Sequence, residues 1–431
     1  MPKNTPSKIS KKHPKQNQQK THNKNAKSTR TDKKEVVLAN EKEAILERVN
    51  IDLLPKWLSK IGAEKMGKKI MQKKGEMLAF SLQDLSLPAL NILKQEALSA
   101  GGDLATPREA ILGGQKLYNA LLIATHTQLE KIIYKCKIQP FGLGQIAKKL
   151  QSHLFPTCLF PKYSLNKIIM PIINITPDSF YADSRHSSKK AIESIIALID
   201  SGATLIDIGA ASSRPGSELI KPNDEKKRLQ EVCEFIKREN LAKKASFSID
   251  TYNAEVADFA LKHDFVMIND VSGIKSKKML EVIAHYRAQV VLMHTKGTPK
   301  DMANLSKYTH LISEVDEFFE RKIDKLEAHK ASRIVLDIGF GFAKTHDQNL
   351  ALIQNLEHFK HFGYEILVGA SRKSTIGAIT NRQSPSERLS GSLALHLLAL
   401  QNGADIIRTH DFIEHIDMLK IFNAFYEIDL C

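Results

Sequence analysis

Cysteine is scarce in this chain of 431 residues, and long apolar runs are missing. The four cysteines (Cys136, Cys158, Cys233 and Cys431) are far apart and form no Cys-x-x-Cys pair. This spacing argues against a disulfide framework or a cysteine zinc site and is typical of a reducing compartment. No apolar stretch approaches the roughly 18 residues that a membrane-spanning helix needs, and the N-terminus lacks the apolar segment of a secretory signal. We therefore expect a globular, cytoplasmic protein.

Acidic residues are nearly missing from residues 1–34, where ten Lys and one Arg accompany a single Asp. This segment supplies ten of the fifteen net positive charges of the chain. Apolar residues are also rare there, so the segment cannot bury enough surface to offset its ordering entropy. We predict a disordered basic tail over residues 1–35. A solvating tail is favoured over a nucleic-acid-binding one, and only weak, non-specific contact with nucleic acid is expected.

Residues 36–165 have the pattern of a separate, small α+β domain. Helical spacing of apolar residues predicts helices, alternation predicts strands, and the Gly101-Gly102 pair predicts a helix end. The predicted helices cover 38–49, 55–74, 88–103 and 106–118, and the predicted strands cover 77–85 and 121–126. No catalytic constellation is present in this segment, and the two glycines of FGLGQIAKK (141–149) are a weak phosphate-binding signal. The sequence leaves the role of this domain open.

Residues 166–431 alternate regularly between short apolar runs and amphipathic stretches. Strands are predicted at 168–175, 204–209, 246–250, 266–270, 289–294, 333–338, 366–370 and 405–409. Helices are predicted near 188–201, 224–239, 254–263, 277–287, 306–329, 347–359, 385–402 and 412–426. Eight strand-helix units in this length predict an α/β fold, a closed (β/α)8 TIM barrel. An open doubly wound sheet would more often show Gly-x-Gly-x-x-Gly after the first strand, and that motif is missing here.

Polar, Gly-rich clusters follow these apolar runs, where a barrel places its chemistry. They read NITPDSF (174–180), DIGAASSRPGSE (207–218), SIDT (248–251), INDVSG (268–273), MHTKGTP (293–299), LDIGFGFAKT (336–345), GASRKS (369–374) and RTHD (408–411). In this order they resemble the dihydropteroate synthase family of pterin-binding enzymes, the sulfonamide targets, over residues 168–425. NILKQEALSAGGD (91–103) also resembles an N-terminal extension of some longer members.

The resemblance implies a transferase of folate biosynthesis. Such an enzyme condenses 6-hydroxymethyl-7,8-dihydropterin diphosphate with 4-aminobenzoate, giving 7,8-dihydropteroate and pyrophosphate. It further implies a Mg²⁺ cofactor and a homodimer. The apolar stretch 392–404 is long enough to offer a dimer face, although it could equally pack on the barrel.

Four polar residues at strand ends are assigned to the pterin by the resemblance: Asp250, Asn269, Asp337 and Lys373. Carboxylates and amides can read the pterin edge by paired hydrogen bonds, and Lys373 offsets their charge. Phe342 is assigned to the aromatic wall. The competing interpretation is that the acidic and amide groups cap the following helices and that the ring packs in the core.

The diphosphate is assigned to the first and last strands. Asn174 resembles a direct Mg²⁺ ligand, since Mg²⁺ takes most of its remaining oxygens from phosphates and water. Arg408 and His410 alternate with Thr409 and should lie on one side of their strand, where they can bind phosphate. A surface salt bridge with Asp411 or Glu414 is the competing interpretation.

Further contacts with the diphosphate or the aminobenzoate lie mainly in loops. By resemblance they are Ser213, Arg214, Ser371, Thr176, Pro177 and Phe340. The loops 174–186 and 210–218 are long enough to close over the site and exclude water. We hypothesise that Mg²⁺, Arg408 and His410 stabilise the departing pyrophosphate, while Asp250 and Asp337 stabilise a cationic pterin methylene.

The sequence departs from the family pattern at Ala211, Ser213, Ile338 and the pair Thr295-Lys296. The changes near residues 211–213 put aminobenzoate affinity and sulfonamide sensitivity in question. Two rival functions stay open: a pterin-dependent methyltransferase on the same barrel, and a non-enzymatic or regulatory role that uses the basic tail. A pyrophosphokinase in residues 36–165 is disfavoured, because no paired metal-binding aspartates occur there.

Overall fold

The computed structural model describes residues 46–154, 166–175, 184–211, 220–297, 304–331 and 333–427. The predicted tail and residues 38–45 of the first predicted helix lie outside this range. Leu46 to Val49 are described, exposed and without regular secondary structure, so the predicted helix does not extend over them. Residues 50–431 form one compact unit that contains separate hydrophobic cores. No helix among the described residues is long and apolar enough to cross a bilayer.

The first part of this unit is a three-stranded antiparallel sheet with helices. The strands are β1 (Met77–Leu85), β2 (Asp103–Ala105) and β3 (Tyr118–Thr125), with β3 in the middle of the sheet. The helices are α1 (Leu54–Lys60), α2 (Lys65–Gly75), α3 (Leu87–Ala100), α4 (His126–Cys136) and α5 (Leu143–Leu154). One strongly apolar core holds α3, α4 and α5 against the buried face of β3. We call this part the N-terminal domain.

Two predicted helices of the N-terminal domain were wrong in detail, and two observed helices were not predicted. The predicted helix 55–74 is two helices, because Gly62 adopts a left-handed φ of +72° and ends the first one. The predicted helix 106–118 is only a 3-10 turn, Arg108–Ile111, since Gly113 and Gly114 with φ of +71° and +99° redirect the chain into β3. Helices α4 and α5 were missed, although a capping box at Thr125 begins α4.

The second part is a closed barrel of eight parallel strands, which confirms the predicted fold. The strands are β4 (Ile168–Asn174), β5 (Leu205–Gly209), β6 (Ser246–Asp250), β7 (Met267–Asp270), β8 (Gln289–Met293), β9 (Ile334–Asp337), β10 (Glu365–Val368) and β11 (Ile406–Thr409). They pair in chain order, and β11 returns to β4. Their carboxyl ends therefore share one rim of the barrel.

Helices surround the barrel between successive strands. They are α6 (Ser184–Asp200), α7 (Pro222–Arg238), α8 (Ala254–Leu261), α9 (Lys277–Tyr286), α10 (Leu311–Ala328), α11 (His346–Gln354), α12 (Ser374–Thr380), α13 (Leu389–Gln401) and α14 (Phe412–Glu427). The short α12 was not predicted. The helix predicted at 347–359 stops earlier and is followed by a 3-10 helix, Leu356–Phe362.

Alternate strand residues fill the barrel interior with apolar side chains. This inner cluster consists of Met170, Leu205, Met267, Val291, Val335, Leu367 and Ile406. At the amino end of the strands, the buried Asp405 carboxylate accepts from Lys167 Nζ at 2.9 Å, from Lys360 Nζ and from the Ile366 amide at 2.9 Å. These contacts close the amino end, so polar side chains at the carboxyl ends remain available for chemistry.

Candidate active site

Charged and polar side chains converge at the carboxyl ends of the strands. They lie at or near the carboxyl ends of β5, β6, β7, β9 and β11 and are Asp207, Asp250, Asn269, Asp337 and Arg408. Apolar runs place each of them at the rim, because a strand buried on both faces is almost wholly apolar until it reaches the mouth of the barrel. All are buried except Arg408, whose side chain is 18% exposed.

Arg408 is the centre of this group. Its Nε donates to Asp207 Oδ2 at 2.6 Å, and its Nη2 donates to Asp250 Oδ2 at 2.6 Å. Asn269 Nδ2 donates to the same Asp207 oxygen at 3.1 Å. The Arg408 guanidinium thus connects β11 to β5 and β6 directly, and to β7 through Asp207.

Asp207 was missed at the sequence level. It stands at the third position of LIDIG (205–209), a strand that is buried throughout. A carboxylate in such a strand rarely survives without a cationic partner. That signal could have identified Asp207 as a partner of one of the predicted cations.

Burial and neighbouring charges alter the pKa values of Asp250 and Arg408. Burial raises the pKa of Asp250 to about 7, with Asp207 adding to the rise and Arg408 opposing it. Burial lowers the pKa of Arg408, but Asp207 and Asp250 more than offset this and hold it above its usual value. Arg408 therefore stays charged while Asp250 can take up a proton near neutral pH.

Asp337 and Lys373 form the neighbouring part of the site. The Gly339 amide donates to Asp337 Oδ1 at 2.8 Å. Burial raises the pKa of Asp337, and Lys373 is the strongest opposing influence. Lys373 Nζ donates to the Phe340 carbonyl and lies 4.8 Å from the centre of the Phe342 ring. Burial lowers the pKa of Lys373 to about 8, so the ammonium loses its proton in mildly alkaline solution.

A second lysine, which the sequence did not single out, fixes the loop after β9. Lys344 Nζ donates to the carbonyls of Gly339 and Phe342, at 3.1 and 3.0 Å, and to His294 Nδ1 at 2.9 Å. Burial lowers the pKa of Lys344 to about 7. Burial also lowers the pKa of His294, to about 2, so the His294 ring is neutral. The Lys344 side chain therefore holds the backbone of the loop that carries Phe340 and Phe342.

Ser371 connects the ends of β10 and β11. Its hydroxyl is 3.0 Å from His410 Nδ1 and accepts from the His410 amide at 3.2 Å and from Thr409 Oγ1 at 3.3 Å. Thr409 is buried whereas His410 is exposed and Arg408 only partly buried. Arg408 and Thr409 thus face different surroundings.

Two buried histidines lie behind this corner. The Ala370 amide donates to His396 Nε2 at 3.0 Å, so His396 must carry its proton on Nδ1, which is 2.7 Å from His415 Nε2. His415 in turn donates from Nδ1 to the Asp411 carbonyl at 2.6 Å. Every link has one donor and one acceptor only while both rings are neutral. Burial lowers the pKa of both.

Of the remaining predicted site residues, one is described by the structure and four are not. Asn174 ends β4 and is exposed. Thr176, Pro177, Ser213 and Arg214 lie outside the described residues. The structure therefore brings together Asp250, Asn269 and Arg408, and separately Asp337, Lys373 and the two phenylalanines, in the two groups described above.

Two departures from the family pattern have structural accounts. Lys296 Nζ is 2.8 Å from Glu314 Oε2 and lies 3.6 Å from the centre of the Tyr308 ring, so its charge is paired within the protein. Ile338 is fully buried in the core around the barrel. Neither residue presents a new polar group to the rim.

The rim also holds buried acceptors. Asp207 Oδ1 and Asn269 Oδ1 are buried and have no hydrogen-bond partner within the described residues. Leaving such atoms unpaired costs about 1–3 kcal/mol each. Beside the Asp337–Lys373 pair, they suit a flat heterocycle that carries both N–H donors and acceptors.

Comparison with known proteins gives the same picture. The family model described as "Pterin binding enzyme" matches residues 170–410. The bifunctional dihydropteroate synthase/dihydropteroate reductase of Helicobacter pylori is 51% identical over 385 residues, covering 89% of this chain and 100% of that protein. The dihydropteroate synthase of Synechocystis is 38% identical over 262 residues, covering 60% of this chain and 90% of that protein.

A solved structure agrees with these relatives. The dihydropteroate synthase of Xanthomonas albilineans with 4-aminobenzoic acid superposes with a TM-score of 0.57 at 34% identity, covering 61% of this chain and 95% of that one. The barrel, the polar rim and the sequence relatives all agree. This chain belongs to the dihydropteroate synthase family of pterin-binding enzymes.

Proposed function

We propose a role in the synthase reaction for each of the polar residues at the carboxyl ends of the barrel strands. The reaction joins 4-aminobenzoate to 6-hydroxymethyl-7,8-dihydropterin diphosphate and gives 7,8-dihydropteroate and pyrophosphate. The observation that carries the proposal is the Arg408 guanidinium held between Asp207 and Asp250, with Asn269 on the same carboxylate. This network positions acceptors at fixed depth in a water-poor barrel mouth.

The pterin is bound by the buried acceptors and by the Asp337–Lys373 pair. Asn269 Oδ1 and Asp250 accept from the amino and ring N–H groups, while Lys373 donates to a ring acceptor. Phe342 covers one face of the ring, at the side where Lys373 already lies over its π system. As the methylene carbon loses its leaving group, the carboxylates of Asp250 and Asp337 stabilise the positive charge that develops on the pterin.

The diphosphate is bound near the ends of β4 and β11. Arg408 uses two of its five N–H groups on carboxylates, which leaves the others for phosphate oxygens. Because those carboxylates balance its charge, further positive charge must come from His410, Arg214 or a metal ion. The exposed Asn174 amide oxygen suits Mg²⁺, which takes few protein ligands beside phosphate and water. When bound there, Mg²⁺ would neutralise charge on the departing pyrophosphate.

Pyrophosphate release is the direct test. The purified chain is given Mg²⁺ and the pterin diphosphate, with or without 4-aminobenzoate. Release that requires 4-aminobenzoate and yields dihydropteroate is expected, and Arg408→Ala should reduce it strongly. Arg333→Ala is the matched control, since Arg333 is exposed beside the amino end of β9. Full turnover by Arg408→Ala would refute the assigned role, and turnover unchanged by chelation would refute the Mg²⁺ assignment.

A second activity is proposed for the N-terminal domain: reduction of dihydropteroate. The 385 residues matched by the Helicobacter pylori bifunctional protein exceed the length of segment 166–431, so the match extends into this domain. The Synechocystis synthase matches only 60% of the chain. Reduction would add a hydride from a reduced nicotinamide and a proton from water across one ring C=N bond.

The test uses the full chain, dihydropteroate and reduced nicotinamide. Consumption of the nicotinamide with formation of a product two hydrogens heavier is expected. No such product under conditions where the synthase turns over would refute reduction by a nicotinamide while leaving the synthase untouched.

A homodimer through α13 and α14 is also proposed. Leu398, Ile421 and Phe425 are 49, 70 and 63% exposed on these neighbouring helices. Light scattering should give the mass of two chains, and Phe425→Asp should shift it toward one. An unchanged dimer in Phe425→Asp would place the interface elsewhere.

A cytoplasmic location is proposed as well, which suits the buried free thiols of Cys136 and Cys233 and is testable by cell fractionation.

A further inference from the structure

Three histidines from the two parts of the compact unit meet away from the active site. His153 lies in the last turn of α5 in the N-terminal domain, while His358 and His361 lie in the 3-10 helix Leu356–Phe362 of the barrel. One ring nitrogen of each lies within 4.8 Å of the others. In a 3-10 helix, side chains at i and i+3 eclipse each other, so the local fold itself pairs His358 with His361.

A carboxylate from a third element contacts two of the three rings. Asp316 Oδ1, from α10, lies 3.1 Å from His358 Nε2 and 2.6 Å from His361 Nε2. Both rings therefore turn their Nε2 atoms toward one point. His153 stacks beside them, with its ring centre 4.8 Å from that of His358 and 4.5 Å from that of His361. We call these four side chains the histidine cluster.

The chemistry of the histidine cluster suits a borderline metal ion. Three imidazoles and one carboxylate match the ligand set and number of a closed tetrahedral zinc site, whereas Mg²⁺ and Ca²⁺ prefer oxygen. Imidazoles bind a metal in their neutral form and carboxylates in their ionised form.

The surroundings resemble those that orient metal ligands. Ser152 Oγ lies 3.5 Å from His361 Nδ1, on the far side of the ring from Asp316. Metal-bound histidines usually donate their second N–H to such a partner, which fixes the tautomer. Phe80 packs edge-on against His153 with ring centres 5.4 Å apart and limits access of water.

We propose that His153, Asp316, His358 and His361 bind one Zn²⁺ ion, which fastens the N-terminal domain to the barrel. The site is structural, because all four positions of a tetrahedral ion are supplied by the protein and none is left for a substrate. It also lies before β10, at the amino end of the strands, whereas the active site lies at the carboxyl end. Each domain keeps its own core, so the ion would cross-link two separately packed bodies.

Metal content is the first test. The untagged full-length chain is equilibrated with Zn²⁺ alone, freed of excess, and analysed by elemental mass spectrometry and by competition with a chromophoric chelator. One tightly bound Zn²⁺ per chain is expected. His153→Gln and His358→Gln should weaken binding by more than about 100-fold, since loss of a group that only orients a ligand already costs about 10–100-fold. Exposed His285, changed to Gln, is the matched control and should bind normally.

Co²⁺ substitution supplies an independent readout. The wild type should show the strong visible absorption of a four-coordinate ion, and His153→Gln should not. Folding of the variants is checked by circular dichroism and by retained synthase turnover. Equal zinc content in wild type and His153→Gln would assign the metal elsewhere, for example to histidines near the N-terminus, and would overturn the proposal. A wild type that binds no Zn²⁺ would overturn it equally.

Discussion

Replacing Arg408 by methionine should destabilise the barrel as well as inactivate it. The change keeps an unbranched side chain but shortens it and removes the guanidinium with its charge and its N–H groups. Asp207 and Asp250 would then face each other with no cation between them, although each now lies 2.6 Å from the guanidinium. Asp207 is fully buried, so water cannot replace the lost partner.

The size of the effect follows from the cost of an uncompensated buried charge. Removing one partner of a buried ion pair costs about 3–5 kcal/mol. For a domain of this size, 1 kcal/mol corresponds to about 2–4 °C, so Tm should fall by about 6–20 °C. The loss should depend on pH, because Asp250 already has a pKa of about 7 in the presence of Arg408.

The sign of this dependence is fixed by linkage. When the folded pKa of a carboxyl lies above its unfolded value of about 3.9, the free energy of unfolding of the protein falls as the pH rises from the unfolded to the folded pKa. Removing Arg408 raises the folded pKa of Asp250 further. Relative to the wild type, the variant should therefore lose less stability at about pH 5.5, where Asp250 is protonated, than at about pH 8.5, where ionisation of Asp250 is no longer stabilised by Arg408.

Far-UV circular dichroism can follow the barrel at both pH values. Trp57 is the only tryptophan of the chain and lies in α1, so its fluorescence follows the N-terminal domain separately and serves as an internal control. The double variant Arg408→Met/Asp207→Asn should recover at least half of the loss. A fall in Tm below about 3 °C, or an equal fall at both pH values, would refute the charge argument.

Three further predictions concern the same rim. Pterin affinity should fall above about pH 8, where Lys373 loses its proton; a Kd that is flat to about pH 9.5 in titration calorimetry would contradict this. Gly339→Ala should cost about 3 kcal/mol or more and largely abolish soluble barrel, because φ is +66° and the new methyl would lie 1.9 Å from the His294 carbonyl; a normal Tm would argue against it. His396→Leu should cost about 1–3 kcal/mol by leaving the Ala370 amide unpaired, and a Tm within 1 °C of wild type would speak against that pairing.

The local pattern of the sequence determined the barrel almost to the residue. Mostly apolar runs of four to seven residues, each followed by a polar cluster, mark β4 to β11. Parallel strands that are buried on both faces need apolar side chains at nearly every position. The antiparallel N-terminal domain was harder. Its strands are interrupted by glycine turns such as Gly113-Gly114, whose effect on direction depends on φ rather than on hydrophobic period.

The candidate rim residues were likewise accessible from motifs, whereas their pairing was not. Asp250, Asn269 and Arg408 stand in separate segments up to 158 residues apart, and Asp207, the first residue of the cluster 207–218, received no role from the sequence. Only closure of the barrel, which brings β11 back to β4, places one guanidinium between two carboxylates. The altered pKa values follow from that closure, since burial and neighbouring charge are properties of the assembled rim.

The histidine cluster also combines a spacing that is visible in the sequence with contacts that only the tertiary structure creates. The three-residue spacing of His358 and His361 is visible in the sequence, but the 3-10 conformation that makes the two side chains eclipse is not. His153 is 205 positions from His358 along the chain, and Asp316 comes from a third element. The sequence by itself determined the fold, the chemistry of the strand ends and the family, because these depend on local order along the chain. The tertiary structure decided which charges meet and what joins the two domains, because those contacts depend on how separate cores pack.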